Sequence, residues 1–325
     1  YNYDGKVWKL DTGGLTTLKY AKMTYRYLLK FLPQIEDEDY QTAFLKYLNR
    51  LSQKKYRDIM INEAQSVYPV NYSNFDRNIY ILNCLNGTLN LKTREFKEHN
   101  SNDLLSKISN IHYDKNATCE RWNQFLKEVF CEDNNLIRFF QKAMGYCLSG
   151  DTSYECLFIL YGATTRNGKS TAMETIIHML GDYAINAQPE TLAQNDFSSG
   201  SSASEDVARL RGARLVNVPE PRKRLKLDVA RVKQLTGGDT ITARFLHQNS
   251  FEYIPEFKLT MNTNHLPQVS DETLFSSGRV HVIPFNRHFS ASEQDKGLKS
   301  FLRRKENISG IFNWCLDGYY ILLKE

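Results

Sequence analysis

The chain has 325 residues, 41% apolar and 24% charged, with a formal net charge of +5. That composition excludes a disordered or fibrous chain, and the length suits about two domains with a core of useful size. No apolar run approaches the ~20 residues of a membrane-crossing helix. The six cysteines are scattered with no C-x-x-C pair, so they read as reduced thiols of a cytoplasmic protein. The mild positive charge tolerates a polyanionic partner without requiring one.

In the first third, Leu18, Tyr25, Leu28, Leu29 and Leu32 recur at helical spacing, and Pro33 ends the run. Tyr40, Phe44, Tyr47, Leu48 and Leu51 repeat the pattern over residues 37–51, and residues 56–66 predict a third helix. Alternation around Asn86-Gly87 then predicts a hairpin over residues 83–91. Helical spacing resumes over residues 121–130 and 135–148. From Cys156 onward, short apolar runs alternate with helices, and residues 156–161, 215–218 and 259–262 read as buried strands of an α/β sheet. The expected division is a mainly helical domain over residues 1–150 and an α/β domain over 151–325. The start at Tyr1, without Met, and a final helix that stops at Glu325 read as the ends of a segment from a longer protein.

The strongest chemical signal follows the first of those strands. Leu157-Phe158-Ile159-Leu160-Tyr161 enters a loop, Gly162 to Thr171, that ends Gly168-Lys169-Ser170-Thr171 and opens a helix. A strand, a glycine-bearing loop and a helix N-terminus form a phosphate cradle, because backbone N–H groups and the helix dipole face the anion. Thr165, Arg166 and Asn167 fall inside the loop. Lys169 is placed to neutralise the β and γ phosphates of ATP, and Ser170 to ligate Mg²⁺. Gly162 and Gly168 are separated by five residues, one more than the usual four, and Ala163 stands where the first glycine is expected.

Two further strand ends add acid and amide. Leu215-Val216-Asn217-Val218-Pro219-Glu220 is an apolar strand closing on a carboxylate, so Glu220 is the candidate general base and a support for Mg²⁺. No acid pair accompanies it. The run from Phe257 to Asn264 ends in an amide suited to orienting an attacking water and sensing the γ phosphate. Residues 240–254 alternate on both sides of a polar tip and predict a second hairpin. Arg222 to Lys226 is a dense basic run, and residues 195–205, rich in Ser and Gly, read as a mobile loop.

Five ordered motifs carry a resemblance. Y-G-A-T-T-R-N-G-K-S-T, R-L-x-G-x-R-L-V-N-V-P-E, K-Q-L-T-G-G-D-T-I-T-A-R, T-N-H-L-P and S-S-G-R-V-H-V-I-P-F are similar to the superfamily 3 helicase domain of the phage/plasmid primase–helicase family. N-G-T-L-N-L, R-W-N-Q-F-L and G-Y-C-L-S-G-D resemble the helical region preceding the motor in that family. The resemblance implies a P-loop ATPase domain of the AAA+ class with a parallel central sheet. It implies an ATP-dependent replicative DNA helicase of a phage, plasmid or genomic island, working in a bacterial cytoplasm. The motor would act as a homo-oligomeric ring, a hexamer, with single-stranded DNA in its channel. Lys169 and Ser170 match Walker A, Glu220 Walker B, Asn264 sensor 1, and Arg279 an arginine finger offered to the neighbouring subunit. Lys233 is a further candidate cation at that interface. The second hairpin would carry Arg244, His247, Gln248 and Asn249 to the DNA backbone. Two other readings remain open here, a P-loop kinase and a nucleotide-regulated DNA-binding or loader module.

Overall fold

The segment Leu-Phe-Ile-Leu-Tyr is apolar at every position, so a strand made from it must be covered on both faces. In the computed structural model it is the strand Leu157–Tyr161, and residues 157–160 are all buried. The structure describes residues 1–67, 69–194, 205–221, 225–271 and 273–325. Most of the predicted Ser- and Gly-rich loop (195–204) and the first three residues of the basic run (222–224) lie outside the described residues.

Five strands form one parallel sheet in the order Val280–Pro284, Leu157–Tyr161, Lys258–Thr263, Leu215–Val218, Ala184–Asn186. Numbered along the chain, that order is 5-1-4-3-2. Alternation along each strand splits the side chains between two apolar cores. Phe158, Leu160, Leu215 and Ile283 point into one core with Trp122, Phe140, Met173 and Phe312. Leu157, Ile159, Val216, Val218, Leu259 and Met261 point into the other. The expected α/β class with a parallel sheet and a mainly helical N-terminal part is what the chain adopts.

The expected border near Gly150 is not where the chain divides. One compact unit comprises residues 1–77 and 100–106, and the other residues 78–99 and 107–325. Residues 107–150 belong with the sheet because the helices Glu120–Val129 and Asn134–Tyr146, with the C-terminal helix Lys305–Leu322, supply one of its two cores. The change of periodicity at Cys156 therefore marks a change of layer within one unit. The smaller unit holds the predicted helices as Leu15–Leu29, Glu38–Leu51 and Lys54–Ala64. Asp37 caps the second of these by accepting from the Tyr40 N–H at 2.8 Å. The Asn86-Gly87 hairpin forms as expected, pairing Ile81–Cys84 with Gly87–Asn90.

Two buried cations tie the 146–151 segment to the N-terminal ends of the strands. Arg214 donates to the carbonyls of Leu148 (2.6 Å) and Ile81 (2.5 Å). Lys258 donates to the carbonyls of Ser149 and Asp151 and lies 4.6 Å from the centre of the Tyr146 ring. Burial pushes the Lys258 ammonium down from 10.5 to about 8. Between those values the unfolded chain keeps a proton that the folded chain has shed, so this group makes stability rise with pH, by up to about 3 kcal/mol. The buried thiols Cys84 and Cys147, pushed up to about 12, work in the opposite direction above pH ~9. The Lys258 contribution is thus read as a difference. In urea unfolding from pH 7 to pH 10, the stability of wild type relative to Lys258→Met is expected to rise across the alkaline limb. A flat difference would mean that the ammonium keeps its ordinary acidity.

Candidate functional site

The loop after Leu157–Tyr161 emerges at the C-terminal edge of the parallel sheet, where helix N-termini and strand ends converge. Gly162 opens it, and a Cβ there would lie 2.9 Å from Lys169 Nζ and 2.2 Å from Asn167 Nδ2. Gly162 is therefore the residue seated against the lysine despite the longer spacing, while Ala163 is exposed. Asn167 is buried and donates to the Thr164 carbonyl at 2.6 Å, closing the loop on itself. Thr165 and Arg166 are held from outside, the first by His288 at 2.9 Å and the second by the Phe289 N–H at 2.9 Å, both to backbone carbonyls. Gly168 takes φ +87°, and a side chain there would strike Val129 Cγ2 at 2.6 Å. The helix Lys169–Leu180 follows, with Ser170 exposed and Thr171 half-buried.

Lys169 is only 6% exposed, yet its ammonium is held by neutral oxygens. It donates to Gly162 O at 3.2 Å and to Asn264 Oδ1 at 2.7 Å. Burial lowers its pKa, and the Glu220 charge partly offsets that. The Asn264 amide in turn donates to Glu220 Oε1 at 2.6 Å. Strand register explains the meeting: Met261 lies opposite Val218, so the residues just beyond both strands leave the sheet at one end. Lys169, Asn264 and Glu220, three residues singled out from separate stretches of sequence, thus form one hydrogen-bonded chain. A cavity of about 630 Å³ borders it, lined by Lys169, Ser170, Glu174, Asn217, Glu220 and Arg303.

A buried cation held by neutral oxygens beside an open cavity suits an anion, since a phosphate would supply the countercharge that burial makes costly to lack. The donor set for a metal is sparse. Ser170 and Glu220 share the cavity, and Mg²⁺ is commonly held by one or two protein oxygens, with waters and phosphate completing its octahedron. These residues fit Mg²⁺ on those terms. When bound, the ion would neutralise phosphate charge.

Sequence reading missed the polar floor of this cavity. Asn217 Nδ2 donates to Asn186 Oδ1 at 2.8 Å, and Asn217 Oδ1 accepts from Asn262 Nδ2 at 3.0 Å and from Thr260 at 3.2 Å. Amides thus occupy the strand positions leading to Glu220. The one available signal was an Asn at the centre of each apolar strand, Leu-Val-Asn-Val and Thr-Met-Asn-Thr.

Arg279 lies at the opposite end of the sheet. Its carbonyl accepts from the Leu157 N–H at 2.7 Å, and Val280 pairs with Leu157 as Pro284 pairs with Tyr161. Six residue steps of about 3.3 Å separate it from the level of Gly162, about 20 Å along the strand before any side-chain reach. The guanidinium is 17% exposed, paired with Glu155, and donates to Thr236 Oγ1 at 2.6 Å. It therefore stands apart from Lys169 in its own chain. Lys233 pairs with Asp271 at 3.4 Å on the surface.

The second predicted hairpin forms from Ile241–Ala243 and Phe251–Tyr253, with Ile241 opposite Tyr253. Arg244, His247, Gln248 and Asn249 are exposed on its connection, and Phe245 stacks on Phe251 beneath them at 5.6 Å. Among the described residues, no helix is long and apolar enough to cross a membrane.

Comparison with known proteins gives matches over both parts of the chain. Residues 1–131 match the family model described as D5 N terminal like, and residues 160–279 match a family of unknown function (DUF5906). The chain is 30% identical over 261 residues to "Putative helicase L207/L206" of Acanthamoeba polyphaga mimivirus, covering 78% of this chain and 27% of that protein. It is 31% identical over 169 residues to "Putative helicase 022R" of Frog virus 3 (isolate Goorha), covering 51% and 17%. A solved apo structure of the NrS-1 C-terminal region aligns with TM-score 0.49 and 15% identity, over 64% of this chain and 47% of that one. The chain spans about a quarter of the mimivirus protein's length and less of the Frog virus 3 protein's. Both relatives are proteins of eukaryotic viruses, so the expected bacterial host draws no support from them. By these matches residues 1–131 resemble the D5 N-terminal-like family, and the chain is similar to viral proteins named putative helicases.

Proposed function

We propose that the chain is the ATP-hydrolysing motor of a DNA helicase that works as a homo-oligomeric ring, a hexamer. The observation that carries the reading is the Lys169–Asn264–Glu220 chain at the mouth of the phosphate loop. Lys169 would hold the β and γ phosphates of ATP, Ser170 and Glu220 would support Mg²⁺, and Glu220 would take a proton from the attacking water. Asn264 touches both ends, so displacement of Lys169 by phosphate would be felt at Glu220. Arg279 would complete the site of a neighbouring subunit. A cation that arrives only on assembly couples turnover to the neighbour. The exposed hairpin tip of Arg244, His247, Gln248 and Asn249 would contact the phosphates of a single strand without reading bases.

The testing experiment is ATP turnover with and without single-stranded DNA, across protein concentration and salt. Turnover per chain is expected to rise with concentration and with DNA, and the DNA effect to shrink as salt increases. Constant specific activity in a monomer, indifferent to DNA, would favour the kinase reading. DNA binding that needs nucleotide but proceeds without turnover would favour the loader.

A further inference from the structure

Asn313, Trp314, Asp317 and Tyr320 lie within two turns of the helix Lys305–Leu322, at spacings that put them on one face. That face borders a cavity of about 320 Å³, whose other walls include Arg94 and the stretch from Tyr113 to Cys119. The volume lies in the range that takes a small organic ligand. No residue of it is shared with the cavity beside Lys169.

The walls are fixed by bonds of their own. The Asn86 amide donates to the Tyr113 carbonyl at 2.9 Å and accepts from the Tyr113 N–H at 2.8 Å. The Tyr113 ring packs against Phe96, with centres 4.9 Å apart, and against Phe312 at 5.7 Å. Asn313 donates to the carbonyls of Asp114 and Ala117, each at 2.8 Å, and so ties that stretch to the helix. Trp314 meets Trp122 edge to face at 5.6 Å. Rigid aromatic walls of this kind suit a flat ring.

Two opposite charges on these walls stay uncombined. The Arg94 guanidinium lies 3.6 Å from the centre of the Tyr320 ring, and the residue is held at φ +63°, a conformation glycine adopts at lower cost. Asp317 is exposed, about one turn before Tyr320. Partial burial raises its carboxyl above the ordinary value, and Arg94 offsets that only in part. Among the described residues no ion pair joins the two or holds either of them elsewhere. A carboxylate offers acceptors alone, and a guanidinium offers donors alone. Guanine answers both: its N1–H and N2–H are parallel donors for a carboxylate, and its O6 and N7 accept from arginine. Adenine sets an acceptor beside its amino group, and a carboxylate repels it.

We infer that this cavity receives a guanine base, with its ring against Tyr113 and Trp314, its N1–H and N2–H on Asp317 and its O6 toward Arg94. Aromatic contact combined with hydrogen bonds to the Watson–Crick edge is how proteins hold an unstacked base. The base arrives either as a free nucleoside or splayed from a single strand, whose phosphates would meet Lys115 on the exposed rim. Both sources present the same edge to the same residues.

The test is calorimetric titration of the full chain with nucleosides, which carry no phosphate for Lys169 to hold. Guanosine is expected to bind about tenfold more tightly than inosine, which lacks the N2 amino group, and adenosine to bind more weakly than inosine. Asp317→Ala is expected to erase the difference between guanosine and inosine. Arg94→Ala is expected to weaken both, because both carry O6. A second arm compares oligothymidylates holding one central dG or one central dA. A dG preference that appears only in the strands and is lost in Asp317→Ala would support the inference with a strand as the source. A guanosine preference without a strand preference, lost in the same variant, would support it with the free nucleoside as the source. Equal binding of guanine and adenine in both arms would overturn the inference, and so would a guanine preference that survives Asp317→Ala.

Discussion

Replacing Lys169 with alanine is expected to reduce ATP turnover by at least about a hundredfold while leaving the fold intact. The ammonium is enclosed by Gly162, Asn167 and Asn264, and Arg303, which borders the same cavity, is held by Glu174 at 2.9 Å. Its removal takes away a burial cost, the same cost that lowers its pKa, together with two hydrogen bonds to neutral oxygens. Those effects oppose one another, so the melting temperature should move little while activity collapses. Lys169→Arg is expected to fail as well, because a planar fork cannot occupy a space shaped around a single nitrogen 3.2 Å from the Gly162 carbonyl. Paired measurement of turnover and thermal unfolding checks both statements. A Lys169→Ala protein that melts far below wild type would make the lysine a structural residue, and one that turns over ATP normally would remove the site from this loop.

Much of that site was legible because each piece is local. Gly168-Lys169-Ser170-Thr171 between an apolar strand and a helix needs no partner to be recognised, and Glu220 and Asn264 each end an apolar run. Their bond to one another was not legible, since it depends on the register between Leu215–Val218 and Lys258–Thr263, which lie more than forty residues apart. Three of the sheet's strands stood out as buried runs on the same grounds. Ala184–Asn186 did not, because it is an edge strand of three residues, none of them buried. The domain border failed for a different reason. Helical periodicity over residues 121–148 reports an apolar face and is silent about which core receives it, and here that core is the sheet's own. Charged residues opening apolar strands, Arg214 and Lys258, were visible in the sequence. Their role as clamps on the 146–151 carbonyls depends on the chain returning to the sheet's far end.

Arg279→Ala is expected to lose most DNA-stimulated turnover, and the informative experiment is a mixture. Within its own chain the guanidinium sits at the wrong end of the strand to reach Lys169, and Glu155 and Thr236 hold it there. If it acts in its own chain, it acts as a brace, and the variant should melt lower and stay inactive whatever is added. If it serves the next subunit, an Arg279→Ala protein still carries an intact Lys169, and a Lys169→Ala protein still carries an intact Arg279. Every interface that pairs the first as nucleotide holder with the second as guanidinium donor is complete. Random assembly of equal amounts into a head-to-tail ring makes about a quarter of the interfaces complete, so two inactive proteins should regain up to about that fraction of wild-type turnover. Cooperation among interfaces would lower the figure but not to zero, and dilution below the assembly concentration should abolish the gain. A mixture that stays as inactive as its components, with both proteins assembling normally, would show that Arg279 braces its own subunit and that the cation completing the site must be sought elsewhere.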